Sequence, residues 1–146
     1  MCLGVTYPTK HATNAASCFM QSKKDGTIHF LTDFRELNKH VIREPFPLPK
    51  INDMTQSLGK FTFASTLDLS MGYYHLLLDD QTSELCSISL PFGTHEHNRL
   101  PQGIMPVVDC FQKEMSHLFS YLDIAKACLD DMLMYSNDNE EDHVEK

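Results

Sequence analysis

Two aspartates stand side by side in "KACLDDMLMYS", residues 126–136, between the apolar runs Ala127-Cys128-Leu129 and Met132-Leu133-Met134. Like charges repel, so the pairing needs a physical reason. Aspartate suits turns, because its side chain bonds nearby backbone and tolerates unusual dihedrals, and an Asp130-Asp131 hairpin tip satisfies the pattern. The same pair can also bind metal. Adjacent carboxylates raise each other's pKa unless a cation compensates, and hard oxygen ligands suit Mg²⁺ or Mn²⁺. A third carboxylate delivered to the same place favours metal binding, and Asp68, at the end of the strand-like run "FTFASTLDL" (61–69), is available. Three carboxylates from different strands meet the needs of phosphoryl transfer. There, two divalent ions about 4 Å apart hold the attacking and leaving oxygens and neutralise developing charge. Spacing alone is a moderate signal, since any globular domain carries many aspartates.

The elements that must position these residues follow from local pattern. "SCFMQS-KKDG-TIHFLT" predicts two strands around a Lys-Asp-Gly turn. "PFPLP" (45–49) is too rich in proline for a helix or central strand and predicts an extended connector. Pro49 then opens a helix with Ile51, Met54 and Leu58 on one face and Gly59 as its stop. "FTFASTLDL", "YYHLLL" and "LCSISL" predict strands, with "PFGT" turning the last into "HEHNRL". In "PVVDCFQKEMSHLFSYL", Val108, Phe111, Met115, Leu118, Phe119 and Leu122 recur at three and four residues, an amphipathic helix. Asn137 with Glu140 forms a capping box for a last helix, inside which the chain stops as if truncated. The order predicts an α+β fold, an antiparallel sheet with helices on one face. Asp68 then ends a central strand, and Asp130 and Asp131 sit at a hairpin tip beside it.

The 146 residues suffice for one domain with a real core. A 42% hydrophobic content with 10% aromatics is globular, not disordered. No apolar run approaches the roughly 20 residues of a membrane span, and no charged segment leads into an apolar block as in a signal peptide. Cysteines 2, 18, 86, 110 and 128 are odd in number and unpaired in spacing, which predicts reduced thiols in an intracellular protein. Neither they nor the eight histidines make a zinc pattern. The net charge of −8 is unevenly spread. Residues 138–146 carry five acids and one lysine, whereas residues 1–50 hold seven basic and four acidic side chains.

Seven blocks, "FLTDFRELNK", "PFPLPKI", "STLDLSMGYYH", "LCSISLPFG", "RLPQGI", "DCFQKEMSHLF" and "CLDDMLMYS", occur in this order. Together they resemble the reverse transcriptase of gypsy-class long-terminal-repeat retrotransposons, from about Leu3 to the C-terminus. The resemblance implies a polymerase right hand: fingers over about 1–60 and 85–105, palm over about 61–84 and 106–146, with an antiparallel palm sheet and helices packed on one face. It stops before the thumb, connection and ribonuclease H domain. It implies that Asp68, Asp130 and Asp131 are catalytic and hold two Mg²⁺ or Mn²⁺ ions, with Asp130 a more direct ligand than Asp131. Tyr73 matches the aromatic that blocks a ribose 2′-hydroxyl, although by itself it reads as a core aromatic. Gln102 and Gly103 match a segment lining the nucleotide pocket, otherwise a helix-entry turn. Lys24 matches a lysine that contacts the incoming triphosphate, otherwise a solvated turn charge. Arg35 and Asn38 read as structural or template-facing.

The chain departs from the family at several supports. His29 stands where arginine is usual, Cys128 where the tyrosine before x-Asp-Asp is usual, "NAAS" (14–17) for Trp-Ala-Ala-Pro, and "PVV" (106–108) for Asn-Ser-Pro. The resemblance implies an RNA-directed DNA polymerase fragment of a retrotransposon polyprotein. Its partners are an RNA or DNA template with primer, deoxynucleoside triphosphates and other parts of the polyprotein, with no membrane. Its location is the cytoplasm or virus-like particles. Intact carboxylates among altered supports also fit an inactive remnant that folds as a palm without polymerising. A generic metal-dependent phosphotransferase has no use for "KKDG" and "DFRELN".

Overall fold

The computed structural model describes residues 4–24, 26–50, 52, 56, 60–137, 141 and 143. They form two compact units, Met1–Arg43 with Met71–Val107, and Glu44–Ser70 with Val108–Lys146. The expected fingers and palm segments divided at other points, near 60, 84 and 105. Among the described residues no helix is long and apolar enough to cross a membrane.

The first unit is built on a five-stranded sheet in the order β1-β6-β5-β2-β3. Its strands are β1 (Thr6–Pro8), β2 (Ala16–Ser22), β3 (Ile28–Thr32), β5 (Ser87–Leu90) and β6 (Gly93–His97). β2 and β3 form the predicted hairpin, closed by the Lys23 N–H donating to Thr27 O at 2.8 Å. β2 also pairs in parallel with β5. Phe34, Cys86, Ile88, Leu100, Ile104 and Val107 are buried together as its core. α1 (Arg35–Asn38) follows Asp33, whose carboxylate takes two hydrogen bonds from the Arg35 guanidinium. That partner holds the Asp33 carboxyl down at about 2.

"YYHLLL" is not a strand. Met71 takes a left-handed φ of 57°, and Gly72–His75 coil into a 3-10 turn. Arg99 Nη1 caps that turn, donating to Tyr74 O at 3.1 Å and His75 O at 3.4 Å. Tyr73, Leu76 and Leu78 then pack on the core, and only Leu77 makes a bridge, to Arg99. "LCSISL" is a strand only from Ser87. Leu85 ends α2 (Asp80–Leu85), whose N-cap Asp79 accepts from Thr82 N at 2.8 Å and Thr82 Oγ1 at 2.9 Å. Aspartate three residues before threonine was a legible capping signal.

The second unit holds a three-stranded antiparallel sheet, β4 (Phe63–Asp68), β8 (Asp131–Ser136) and β7 (Ala125–Cys128), in the order β4-β8-β7. β8 is the central strand, and β4, expected to be central, is an edge. α3 (Val107–Leu118) is the predicted amphipathic helix, shorter by one turn and rotated. Phe111 and Met115 are buried, but Leu118 is exposed, and Asp109 and Gln112 occupy the inner face. Asp109 Oδ1 accepts from Phe46 N at 3.0 Å, giving a partner to an N–H in the "PFPLP" connector. Asn52 and Gln56 are helical. The expected face Ile51, Met54 and Leu58, the stop at Gly59, and Glu140 of the capping box lie outside the described residues. His143 bridges two strands of this unit, bonding Ser136 Oγ at 2.8 Å and Ser65 Oγ at 3.0 Å.

Asn38 emerges as structural. Its Nδ2 donates to Gly103 O at 2.9 Å and its Oδ1 accepts from Met105 N at 2.8 Å, so one amide pins the loop after Pro101. Asn38→Ala removes both bonds and should cost about 1–2 kcal/mol. That corresponds to a drop in Tm of several degrees by circular dichroism. Asn38→Asp keeps the acceptor and should fall between. An unchanged Tm in Asn38→Ala would show that the loop holds itself.

Candidate functional site

Strand register brings the three aspartates to one corner of the second unit. Asp68, the last residue of β4, lies directly across from Asp131, the first residue of β8. Directly opposed residues share a sheet face with Cβ atoms about 5 Å apart, and like charges so placed destabilise the pair. Cys128 is the partner of Asp131 on the other side, so Leu129 and Asp130 alone make the turn. The expected Asp130-Asp131 tip is thus displaced by one residue: Asp131 is in the ladder and Asp130 in the turn. Asp130 O accepts from Leu69 N at 2.9 Å, which ties the turn to the residue after Asp68.

Asp130 is the least exposed of the three. Its Oδ1 is shielded from solvent and has no hydrogen-bond partner. Burial, then the neighbouring Asp68 and Asp131, raise its carboxyl above the usual carboxylate range. A lone shielded carboxylate oxygen beside two further carboxylates fits a hard divalent cation. Among the described residues, no three His, Cys, Asp or Glu side chains, Asp68, Asp130 and Asp131 included, stand so that they could hold a metal ion together.

A residue not foreseen from sequence holds the turn. Gln112, on α3, receives the Leu129 N–H at 2.8 Å through Oε1. Through Nε2 it donates to Ala127 O at 3.2 Å and Ser116 Oγ at 3.1 Å. Its only signal was position, between the core residues Phe111 and Met115 on a helix face where a polar residue has to be satisfied.

The remaining candidates lie in the first unit, on separate segments. Lys24 is exposed in the β2–β3 loop, and His29 is half-buried on β3 opposite Gln21. Tyr73 is partly buried against the core, in keeping with the structural alternative for it. Gln102 is exposed in the loop pinned by Asn38. Gly103 has φ +103°, which strains any other residue, while a Cβ there would meet only ordinary contacts at 3.5 and 3.6 Å.

The raised Asp130 pKa fixes a sign. In the metal-free chain the folded state holds this proton more tightly than the unfolded state. Stability is therefore lost as pH rises from the unfolded value, about 3.9, through the raised folded one. Asp130→Asn should raise the metal-free Tm at pH 7, and the gain should vanish below about pH 3.9. Thermal unfolding of both chains in a chelator across that range tests it; an Asn variant less stable at pH 7 would contradict it.

Comparison with known proteins bears on this geometry. Residues 21–146 match the family model described as reverse transcriptase (RNA-dependent DNA polymerase). The chain is 32% identical over 151 residues to the retrovirus-related Pol polyprotein from transposon gypsy of Drosophila melanogaster, covering 97% of this chain. It spans only 14% of that polyprotein's length. The fold is similar to prototype foamy virus protease-reverse transcriptase, at a TM-score of 0.82 and 22% identity, covering 97% of this chain and 19% of the other. It is also similar to the foamy viral protein in complex with an RNA/DNA hybrid, at 0.80 and 19%, with the same coverages. With its three aspartates at one sheet corner and its length matched from residue 21 to the end, the chain belongs to the reverse transcriptase family.

Proposed function

We propose that this chain is the catalytic part of an RNA-directed DNA polymerase, which joins deoxynucleotides to a primer 3′-hydroxyl on an RNA or DNA template. The observation that carries the reading is the register of Asp68 with Asp131 beside the unpartnered oxygen of Asp130. Nothing in the fold's own stability accounts for that concentration of charge. The likeness to a foamy viral protein solved with an RNA/DNA hybrid supports a template-primer as the partner. Residues of about 61–84 and 106–146 serve as palm, and those of about 1–60 and 85–105 as fingers.

Asp68 and Asp130 are the main holders of two Mg²⁺ or Mn²⁺ ions, with Asp131 assisting. Ions bound there would neutralise charge developing on the transferred phosphate. Lys24 meets the triphosphate as a positive charge, and His29 contributes one donor beside it. Gln102 and Gly103 line the nucleotide pocket. Tyr73 excludes a ribose 2′-hydroxyl by its bulk. The chain works as one part of a polyprotein, in the cytoplasm or in virus-like particles. The share of the gypsy polyprotein that it spans supports a partial role.

Primer extension with Mg²⁺ and then Mn²⁺ tests the reading. Asp68→Asn and Asp130→Asn should each abolish incorporation. His29→Arg should improve nucleotide use, since one charge-assisted phosphate contact is worth on the order of 1.5–3 kcal/mol, roughly 10- to 150-fold in affinity. No incorporation by the natural chain and by His29→Arg alike would favour the inactive remnant. Incorporation that survives loss of Asp130 would contradict the assignment.

Tyr73→Ala should admit ribonucleotides. Tyr73 also packs on the core, so the variant should lose stability as well. The informative quantity is the ratio of ribo- to deoxynucleotide kcat/KM, which the amount of folded protein does not affect. An unchanged ratio would leave Tyr73 a core residue only.

A further inference from the structure

Tyr73 stands in a turn that does not hold itself. Met71, which leads into it, has φ 57°, a left-handed conformation that a residue with a side chain adopts at a cost. Gly72–His75 then make a single 3-10 turn, whose hydrogen bonds are poorer than those of an α-helix. The last residues of any such turn leave carbonyls with no partner inside it. Here they are Tyr74 and His75, and Arg99 Nη1 meets both carbonyls, at 3.1 and 3.4 Å. Basic side chains serve helix C-termini in the same way. The neighbours of Arg99 are paired with the chain that leaves the turn. Leu100 N donates to Leu76 O at 3.0 Å and Leu78 N to Asn98 O at 3.1 Å, around the Leu77–Arg99 bridge. From there the Arg99 side chain reaches back to the two residues after Tyr73. Ahead of it the chain runs through Leu100 and Pro101 straight into Gln102 and Gly103. One side chain thus joins the turn carrying Tyr73 to the segment carrying Gln102, all within the first unit.

We propose that Arg99 is a positioning residue for sugar discrimination: by holding the carbonyls of Tyr74 and His75 it sets where the Tyr73 ring stands relative to Gln102 and Gly103. The inference rests on the reading of Tyr73 as the residue that excludes a ribose 2′-hydroxyl. The competing explanation is that the core alone fixes the half-buried Tyr73 ring, and that Arg99 caps the turn for stability. The two differ in what is lost with Arg99. A residue that acts through stability alone lowers the amount of folded chain. It leaves the ring of the folded molecules, and their preference between sugars, as they were.

The test uses Arg99→Met, which keeps the aliphatic stem and removes the donors, and Arg99→Lys, which restores a cation able to donate to a carbonyl. The first readout needs no activity. The chain has no tryptophan, so Tyr73→Trp places a single fluorescent reporter in the turn. Relative to Tyr73→Trp alone, adding Arg99→Met should raise acrylamide quenching of the indole at least about twofold, as the turn opens locally. The second readout is the ratio of ribo- to deoxynucleotide kcat/KM in primer extension. Arg99→Met should raise it about three- to tenfold, the worth of a lost hydrogen bond, and Arg99→Lys less than about twofold. In a Tyr73→Ala background, Arg99→Met should change the ratio by less than about twofold, because its effect passes through the ring.

Unchanged quenching in folded Arg99→Met overturns the proposal. So does a ratio that stays constant while kcat/KM falls for both sugars, or an equal rise with and without Tyr73. If Arg99→Met does not fold, Arg99→Gln, a shorter neutral amide, takes its place under the same thresholds. If neither folds, Arg99 serves the fold alone and the proposal falls. The outcomes separate this claim from the reading beneath it. A ratio that responds to Tyr73→Ala but not to Arg99→Met sinks the positioning role alone. A ratio indifferent to Tyr73→Ala, or no incorporation by the natural chain, sinks both.

Discussion

Like charge is forced together where β4 meets the β7–β8 hairpin, and the second unit is arranged to sustain it. Backbone register, not attraction between side chains, sets Asp68 opposite Asp131. A slip of one residue in an antiparallel pair would send one of them to the other face. The ladder from Phe63↔Ser136 to Asp68↔Asp131 is unbroken, so the repulsion is borne by the sheet as a whole. In the metal-free state it is a standing cost. On the proposed function, a divalent cation would turn the same arrangement into a binding site, a trade of stability for function.

The helix behind the hairpin shows how that cost is contained. An amphipathic helix of this size would ordinarily present only apolar side chains inward. α3 instead buries Asp109 and Gln112 along with Phe111 and Met115. Each accepts a hydrogen bond from a backbone N–H outside the strands: Phe46 of the proline-rich connector in one case, Leu129 of the turn before Asp130 in the other. A buried polar group without a partner is costly, so these bonds make connector, helix and hairpin a single mutually dependent arrangement. Asn38 performs the same task in the first unit, on the loop holding Gly103.

Much of this was legible in the sequence, and unevenly. The β2–β3 hairpin followed from turn chemistry around Gly26, and the neighbourhood of Asp68 and Asp130-Asp131 from paired strand-like runs. The 3-10 turn at Gly72–His75 was not, because two aromatics followed by three leucines look strand-like until the left-handed Met71 and the capping Arg99 are seen. β4 was expected in the centre of its sheet because its composition is strand-like, whereas edge or centre is decided by pairing. The turn was misplaced by one residue because Asp-Asp is a better turn former than Leu-Asp by propensity. A tertiary hydrogen bond from the Leu129 N–H to Gln112 overrode that preference. Gln112 had its helix position as its only signal, since its partners Ala127 and Leu129 lie 15 and 17 residues away.

The central claim is that Asp68 and Asp130 act on one cation through the register between β4 and the hairpin. A double-mutant cycle on Mn²⁺ affinity tests it most directly, using the natural chain, Asp68→Asn, Asp130→Asn and the double variant, with thermal unfolding confirming that each is folded. The account predicts that each single change lowers affinity at least about tenfold, roughly 1.4 kcal/mol. It also predicts that the double change costs clearly less than the sum of the two, because either loss already dismantles the shared site. Strictly additive losses, or an affinity indifferent to one of the two aspartates, would contradict it.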